Sequence, residues 1–335
     1  MVVLVSCGGS SPASPSSSTS SGSTSSTSTG RFVTTERLVD FVSGAGVAGV
    51  TPTTTDTRTF YTAATDSTGA FSLGVDTSSS SGLPFTFAGA SIVTRQTYVQ
   101  VPGNAVTVSV LPKTFDLASF DEMCRPTMLT RWTATPLLVI QTQTLQFTSA
   151  NDSAFPAIAG TMTAGDLASL AADFNWGLPL LTGNTFGTFQ AVAPVTATPG
   201  TSVTMLNANQ ITVGRFAGLR AAIGSAALSR WLYLPDGRIA GGLIMLDRDY
   251  DASNDPLVRI VRAHELGHTM GYNHVTGRTS IMNATPTIEP NAADLLAMKL
   301  AFARPPGNKS PDIDPSGFSI NSLTAARGVW TDAIK

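Results

Sequence analysis

Between residues 31 and 112, apolar side chains recur at every second position in short runs. Phe71, Leu73 and Val75 alternate with smaller or polar residues, and Phe60 and Tyr61 mark an earlier run. Ile92, Tyr98, Val99, Val101, Val106, Val108 and Val110 carry the pattern on to Pro112. A period of two puts one face of a strand into a core. Asp66-Ser67-Thr68-Gly69 supplies turn chemistry between two of the runs. No helical period interrupts them, so the pattern predicts a small antiparallel β-sandwich over 31–112.

From about residue 113 the periodicity changes. Pro136 to Phe147 reads as a strand, and further strands are predicted at 189–196 and 209–214. Leu167, Leu170, Ala171 and Phe174 share one face of a helix that Thr163 and Asp166 can cap. Trp231 to Leu234 and Ile239 to Leu246 flank Pro235-Asp236-Gly237, which predicts a hairpin. A second helix is expected to open at Asn254 or Asp255 with Pro256 in its first turn and to run to about Met270. A third is expected from Asn291 to Arg304, stopped by Pro305-Pro306. Strands followed by helices argue an α+β fold for 113–335, with its own core and able to fold without the sandwich.

Composition changes this picture at the front of the chain. Sixteen of the twenty residues from Ser10 to Thr29 are Ser or Thr, too polar to offset their ordering entropy, so 1–30 is read as a tether. Over the whole chain 42% of residues are hydrophobic and 13% charged, as in a globular chain, and the net charge of -2 excludes an electrostatic nucleic-acid binder. No run reaches the ~18 apolar residues of a membrane helix. Two cysteines, Cys7 and Cys124, make no disulfide framework. A monomer is expected.

The candidate chemistry is concentrated in His264-Glu265-Leu266-Gly267-His268-Thr269-Met270-Gly271-Tyr272-Asn273-His274, which holds all three histidines of the chain. On a helix, His264 and His268 lie one turn apart on one face and can grip one ion. Glu265, the next residue round, misses the ion but can reach a water molecule beside it. Gly271 can take the positive-φ conformation that reverses the chain and brings His274 back as third ligand. Three imidazoles with an open position describe a catalytic zinc site.

This five-point spacing resembles the metzincin signature. Ser280-Ile281-Met282-Asn283 is similar to the methionine turn of that group, and Met282 lies at a distance from His274 that resembles matrixins. Asn283 departs from the tyrosine-bearing turns of astacin-like and serralysin-like relatives. Met128-Leu129-Thr130-Arg131-Trp132, Gly241 to Asp247, and Asp294 in Asn291-Ala292-Ala293-Asp294 extend the resemblance over roughly 128–304. The resemblance implies a twisted mixed sheet with an active-site helix and a C-terminal helix. It also implies a zinc endopeptidase with Glu265 as general base and acid and protein or peptide as substrate. The strand around 239–246 and the segment around Met282 are expected to wall the cleft, with an edge strand pairing an extended substrate. Two alternatives stand beside this reading: an envelope binding protein with a structural zinc, and a zinc hydrolase of non-peptide substrates.

Three further features leave alternatives open. Leu4-Val5-Ser6-Cys7-Gly8 resembles the lipobox of bacterial lipoproteins, which implies lipidation of Cys7 and a cell-envelope or secreted location. The stretch ahead of Cys7 is too short for a signal peptide and has no Lys or Arg, so either the start lies upstream or the cysteine is incidental. Asp247, Asp249, Asp251 and Asp255 could hold calcium, or serve as a loop with a helix cap. Cys124 could block zinc as matrixin propeptide cysteines do, although the flanking residues of that motif are absent, or be a buried thiol. Thr65-Asp66-x-x-Gly69-x-Phe71-x-Leu73 resembles the carboxypeptidase-regulatory-like, transthyretin-type module, which implies a spacer or binding role for 31–112.

Overall fold

The computed structural model describes residues 32–58, 60–76, 82–99, 101, 107–316 and 328–333. Cys7, the tether and Val106 lie outside them. The first unit is built from β1 (Phe32–Asp40), β2 (Phe60–Thr62), β3 (Ala70–Val75), β4 (Leu83–Gly89), β5 (Ile92–Val99) and β6 (Thr107–Val110). One sheet has the order β2-β3-β1-β6, and β4 pairs with β5 in a second. Leu38, Phe71, Leu73 and Val75 from the first meet Phe85, Phe87, Ile92 and Val99 from the second in one core. The Asp66 carboxylate accepts from the Thr68 and Ala70 amides, which makes the turn into β3. A purely antiparallel sandwich does not form, because β6 runs parallel to β1. The chain crosses to the β4–β5 hairpin before returning, and such a crossover lets a strand enter in the same direction as its neighbour.

The second unit is α+β. In chain order it comprises α1 (Leu117–Cys124), β7 (Leu137–Gln146), β8 (Ala154–Thr161), α2 (Ala164–Leu181), β9 (Val192–Val195), β10 (Ser202–Thr204) and β11 (Gln210–Ala217). There follow α3 (Leu219–Ile223), β12 (Ala227–Tyr233), β13 (Ile239–Asp247), α4 (Arg248–Asp251), α5 (Val258–Thr269), α6 (Ala292–Ala303) and β14 (Gly328–Ala333). The mixed sheet has the order β10-β8-β7-β11-β13-β12-β14, with β9 also on β7. β7, β11 and β13 are parallel, and β12 is antiparallel to β13. These central strands are covered on both faces and are buried along nearly their whole length, polar positions such as Gln141 to Thr144 and Arg215 included. Ile244 and Leu246 face the cluster that holds α2, α5 and α6, whereas Leu243 and Met245 face a second cluster with Phe155 and Phe216.

Two helices differ from the sequence reading. α2 begins at the expected capping box of Thr163 and Asp166 but continues past Phe174 to Leu181, with Pro179 inside it. Burial of Leu178 and Leu181 against the core outweighs the local cost of the proline. α5 starts at Val258, and Asp255 instead accepts from the Leu257 amide in a turn before the helix. Asn291 caps α6 as expected, its side chain accepting from the Ala293 and Asp294 amides. Among the described residues no helix is long and apolar enough to cross a membrane.

The two units meet through buried ion pairs. Arg95 on β5 reaches Asp312 at 2.9 Å and Asp314 at 2.7 Å, and Arg304 pairs with Asp312 at 2.9 Å. The Gln96 amide donates to the Asp312 carbonyl, and the Asp314 amide donates back to Gln96. Arg304 also donates to the carbonyl and hydroxyl of Ser109. The segment ending at Asp314 is thus laced onto the sandwich, a junction that periodicity does not reveal.

Candidate metal centre

α5 is buried along nearly its whole length, from Val258 to Thr269, and packs between α2 and the sheet. His264 and His268 therefore point from one turn of a rigid helix. Their Nε2 atoms are 2.9 Å apart, and His274 Nε2 lies 3.3 Å from that of His264. The three residues are the one group among the described residues that could hold a metal ion. Gly271 returns the chain: its φ is +103°, and a side chain there would run into the carbonyl of Thr130. Conformation and space both require glycine.

The outer ring nitrogens fix the tautomers. His264 Nδ1 donates to the Ile281 carbonyl at 2.6 Å, and His268 Nδ1 donates to the Tyr272 carbonyl at 2.7 Å. With hydrogen on Nδ1, each Nε2 presents a lone pair to the centre. Burial holds these rings neutral. It drives His264 down to about 3, against the pull of the Ile281 carbonyl, and holds His268 well below its ordinary value. His274, which is only partly buried, is lowered by the same cause. Lone pairs this close repel unless a cation sits among them, so the donor set fits a metal ion.

A second layer holds the ligands in place, as outer-shell partners do at metal sites. The buried Asp294 carboxylate accepts from the Ile281 amide at 3.0 Å, the Ser280 hydroxyl at 2.6 Å and Arg278 at 2.6 Å. It thereby orients the carbonyl that grips His264. Met282 packs under α5, its Sδ 2.6 Å from where a Cβ on Gly267 would lie, so that glycine lets turn and helix touch. Asn283 donates to the Val275 and Arg278 carbonyls and accepts from the Ser280 amide, stapling the His274 loop to the Met282 turn. Glu122 and Met123 on α1 hold the same loop through Thr276 and Asn273. Trp132 Nε1 donates to the Thr269 carbonyl at 2.8 Å at the end of α5, and Arg131 donates to the Arg304 carbonyl after α6.

Glu265 is buried in the same turn as His264, and its carbonyl accepts from the Ser229 hydroxyl at 3.0 Å. The Trp231 ring lies parallel to His268 at 6.2 Å between centroids. Both contacts come from β12. β13, the strand expected to wall the cleft, is flanked on both sides by β11 and β12 and offers no edge. Both β12 and β13 lie beside the helix, and β12 is the outer of the two because the hairpin after Tyr233 folds back inward and places β13 in the sheet interior.

The acidic cluster divides its labour. Asp247 accepts from the Tyr250 and Arg220 amides, Asp249 pairs with Arg248, and Asp255 makes the turn before α5. Asp251 is buried between Arg215 and Arg262, at 2.7 Å from each, and Arg262 also reaches Asp173. The four therefore make no calcium cage: the arginines of β11 and α5 have taken the carboxylate that would anchor one. That network instead fixes the start of α5, a role the sequence reading missed. Cys124 is fully buried, and burial pushes its thiol well above the ordinary range despite Arg125 nearby. It lies in the core and outside the histidine group, which favours the buried-thiol alternative over the propeptide-type one.

No family model matches this chain, and no curated protein matches it.

Proposed function

We propose that the chain is a zinc-dependent endopeptidase of metzincin type, similar to matrixins. The observation that carries this reading is the convergence of three neutral imidazole Nε2 atoms in the turn that also holds Glu265. Three nitrogen ligands with no thiolate favour zinc, and a three-ligand set with a partly exposed His274 suits a catalytic rather than a closed structural site. The mixed sheet, α5 as the active-site helix, α6 as the C-terminal helix and Met282 against Gly267 accord with the arrangement that the resemblance implies.

His264, His268 and His274 hold the ion. Zinc, when bound there, polarises a carbonyl and lowers the pKa of a water molecule toward neutrality. Glu265 takes the proton of the attacking water and passes it to the departing amine, acting as base and then as acid. Its fixed place on a buried helix holds that carboxylate ready for both transfers. The sandwich serves as a spacer or binding module, and lipidated Cys7 tethers the chain to a bacterial envelope.

The test is metal analysis combined with cleavage of casein or a fluorogenic peptide. About one zinc per chain is expected, with cleavage abolished by a chelator and restored by zinc. Stoichiometric zinc without any hydrolysis would return the reading to a structural site.

A further inference from the structure

β12 touches the helix that carries the histidines, through Ser229 to Glu265 and through Trp231 against His268. One side of β12 is bonded to β13. A peptide stretched along the other side would lie beside the metal centre. That side is already taken. β14 runs antiparallel to β12 in unbroken register: Leu228 opposite Ala333, Ser229 opposite Asp332, Arg230 opposite Thr331, Trp231 opposite Trp330, Leu232 opposite Val329 and Tyr233 opposite Gly328. Among the described residues β14 ends the sheet and has a ladder on one side alone. An open sheet edge is a template for an added strand, and extended peptides bind by adding one.

We propose that Gly328–Ala333 is an internal competitor: it occupies the edge of β12 that an extended peptide substrate must pair with, and so restrains the cleft until it is displaced. This rests on the endopeptidase reading for its consequence, though not for the pairing itself. Because no strand among the described residues lies on its far side, releasing β14 uncovers β12 without breaking another ladder of the described sheet. A segment of the same chain competes at high effective concentration, so its restraint is independent of protein concentration.

The experiment uses the full chain, a variant ending at Arg327, and the full-length double variant Val329→Pro/Thr331→Pro, since proline cannot donate to a ladder. Three readouts are taken: amide exchange of residues 228–233, binding of a labelled, end-blocked Gly-Val-Trp-Thr-Asp-Ala peptide, and kcat/KM on a short fluorogenic peptide. Both variants are expected to exchange faster over 228–233 and to bind the hexapeptide where the parent does not. Their KM should fall on the order of tenfold with kcat unchanged. Equal protection of 228–233 in all three proteins, or parental cleavage that neither variant accelerates, overturns the proposal. If none of the proteins cleaves but exchange and hexapeptide binding change as expected, the edge is a peptide site held by β14 and the catalytic reading alone fails.

Discussion

Two buried polar clusters in this protein have opposite electrical character. At the junction of the two units, the guanidinium groups of Arg95 and Arg304 face the carboxylates of Asp312 and Asp314, and Asn308 donates to both acids. The charges there balance within the chain. At the helix, the ring nitrogens of His264, His268 and His274 are turned toward one another, and burial keeps the imidazoles neutral. Burying charge is tolerated when it is paired and hydrogen-bonded. The junction is therefore complete as it stands, whereas the histidine centre is a donor set that could hold a metal ion.

The sharpest way to break this contrast is at the centre. His268→Ala should reduce bound zinc from about one per chain to near none, measured by metal analysis after dialysis; retention of stoichiometric metal would place the ligands elsewhere. Glu265→Ala should keep the ion and the fold but lose about 10²–10⁴-fold in kcat/KM on a peptide. Parental rates in that variant would remove Glu265 from proton transfer.

At the junction the expected effect is on folding. Asp312→Ala leaves Arg304 and Arg95 buried with one carboxylate fewer and should cost about 3–5 kcal/mol in chemical denaturation. A chain starting at Lys113 removes Arg95 and Ser109 together, so it should be less stable than its parent while cleaving a short peptide as well. A change of under 0.5 kcal/mol in either, the size typical of surface substitutions, would mean the junction contributes nothing. Asp294→Ala sits between the two clusters in kind, because Asp294 lies outside the histidine group but orients the Ile281 carbonyl. Zinc affinity should weaken about 10- to 100-fold by competition with a chelator.

The smallest effect concerns acid. Burial works to raise the pKa of Asp312, but the charges of Arg304 and Arg95 outweigh it and hold the carboxyl below its ordinary value. A lowered folded pKa contributes stability above the unfolded value and loses it as pH falls through the folded one. The contribution of Asp312 should be intact above pH about 4 and disappear below it. Denaturation midpoints of parent and Asp312→Ala measured against pH should therefore converge in acid; parallel curves would locate the titration elsewhere.

What was legible in the sequence follows the range of the interaction. The i, i+4 pair His264 and His268, the turn at Gly271 and the cap at Asn291 are local rules, and the structure places them accordingly. Asp294 shows the limit. Its part in the cap can be read three residues from Asn291, but its hold on Ser280 and Ile281 cannot, since the same carboxylate serves both. The acids at 247–255 read as a cation loop because Arg215 and Arg262 arrive from other elements to claim Asp251. The identity of the edge strand was not legible for a similar reason: hairpin pairing of β12 with β13 is local, but the order of either within the sheet depends on β11 and β14.

The junction also has a consequence for the order in which the chain matures. Arg95 and Asp312 are separated by 217 positions in sequence, and Arg95 and Asp314 by 219. Contacts across such intervals carry the largest closure entropy and form late. On a ribosome the first unit emerges and can collapse around Phe71 and Phe87 while Arg95 still faces water. Its counter-ions are synthesised only after α5 and α6 have been made. The guanidinium thus stays hydrated at that stage. It is buried only when the whole second unit is present to receive it.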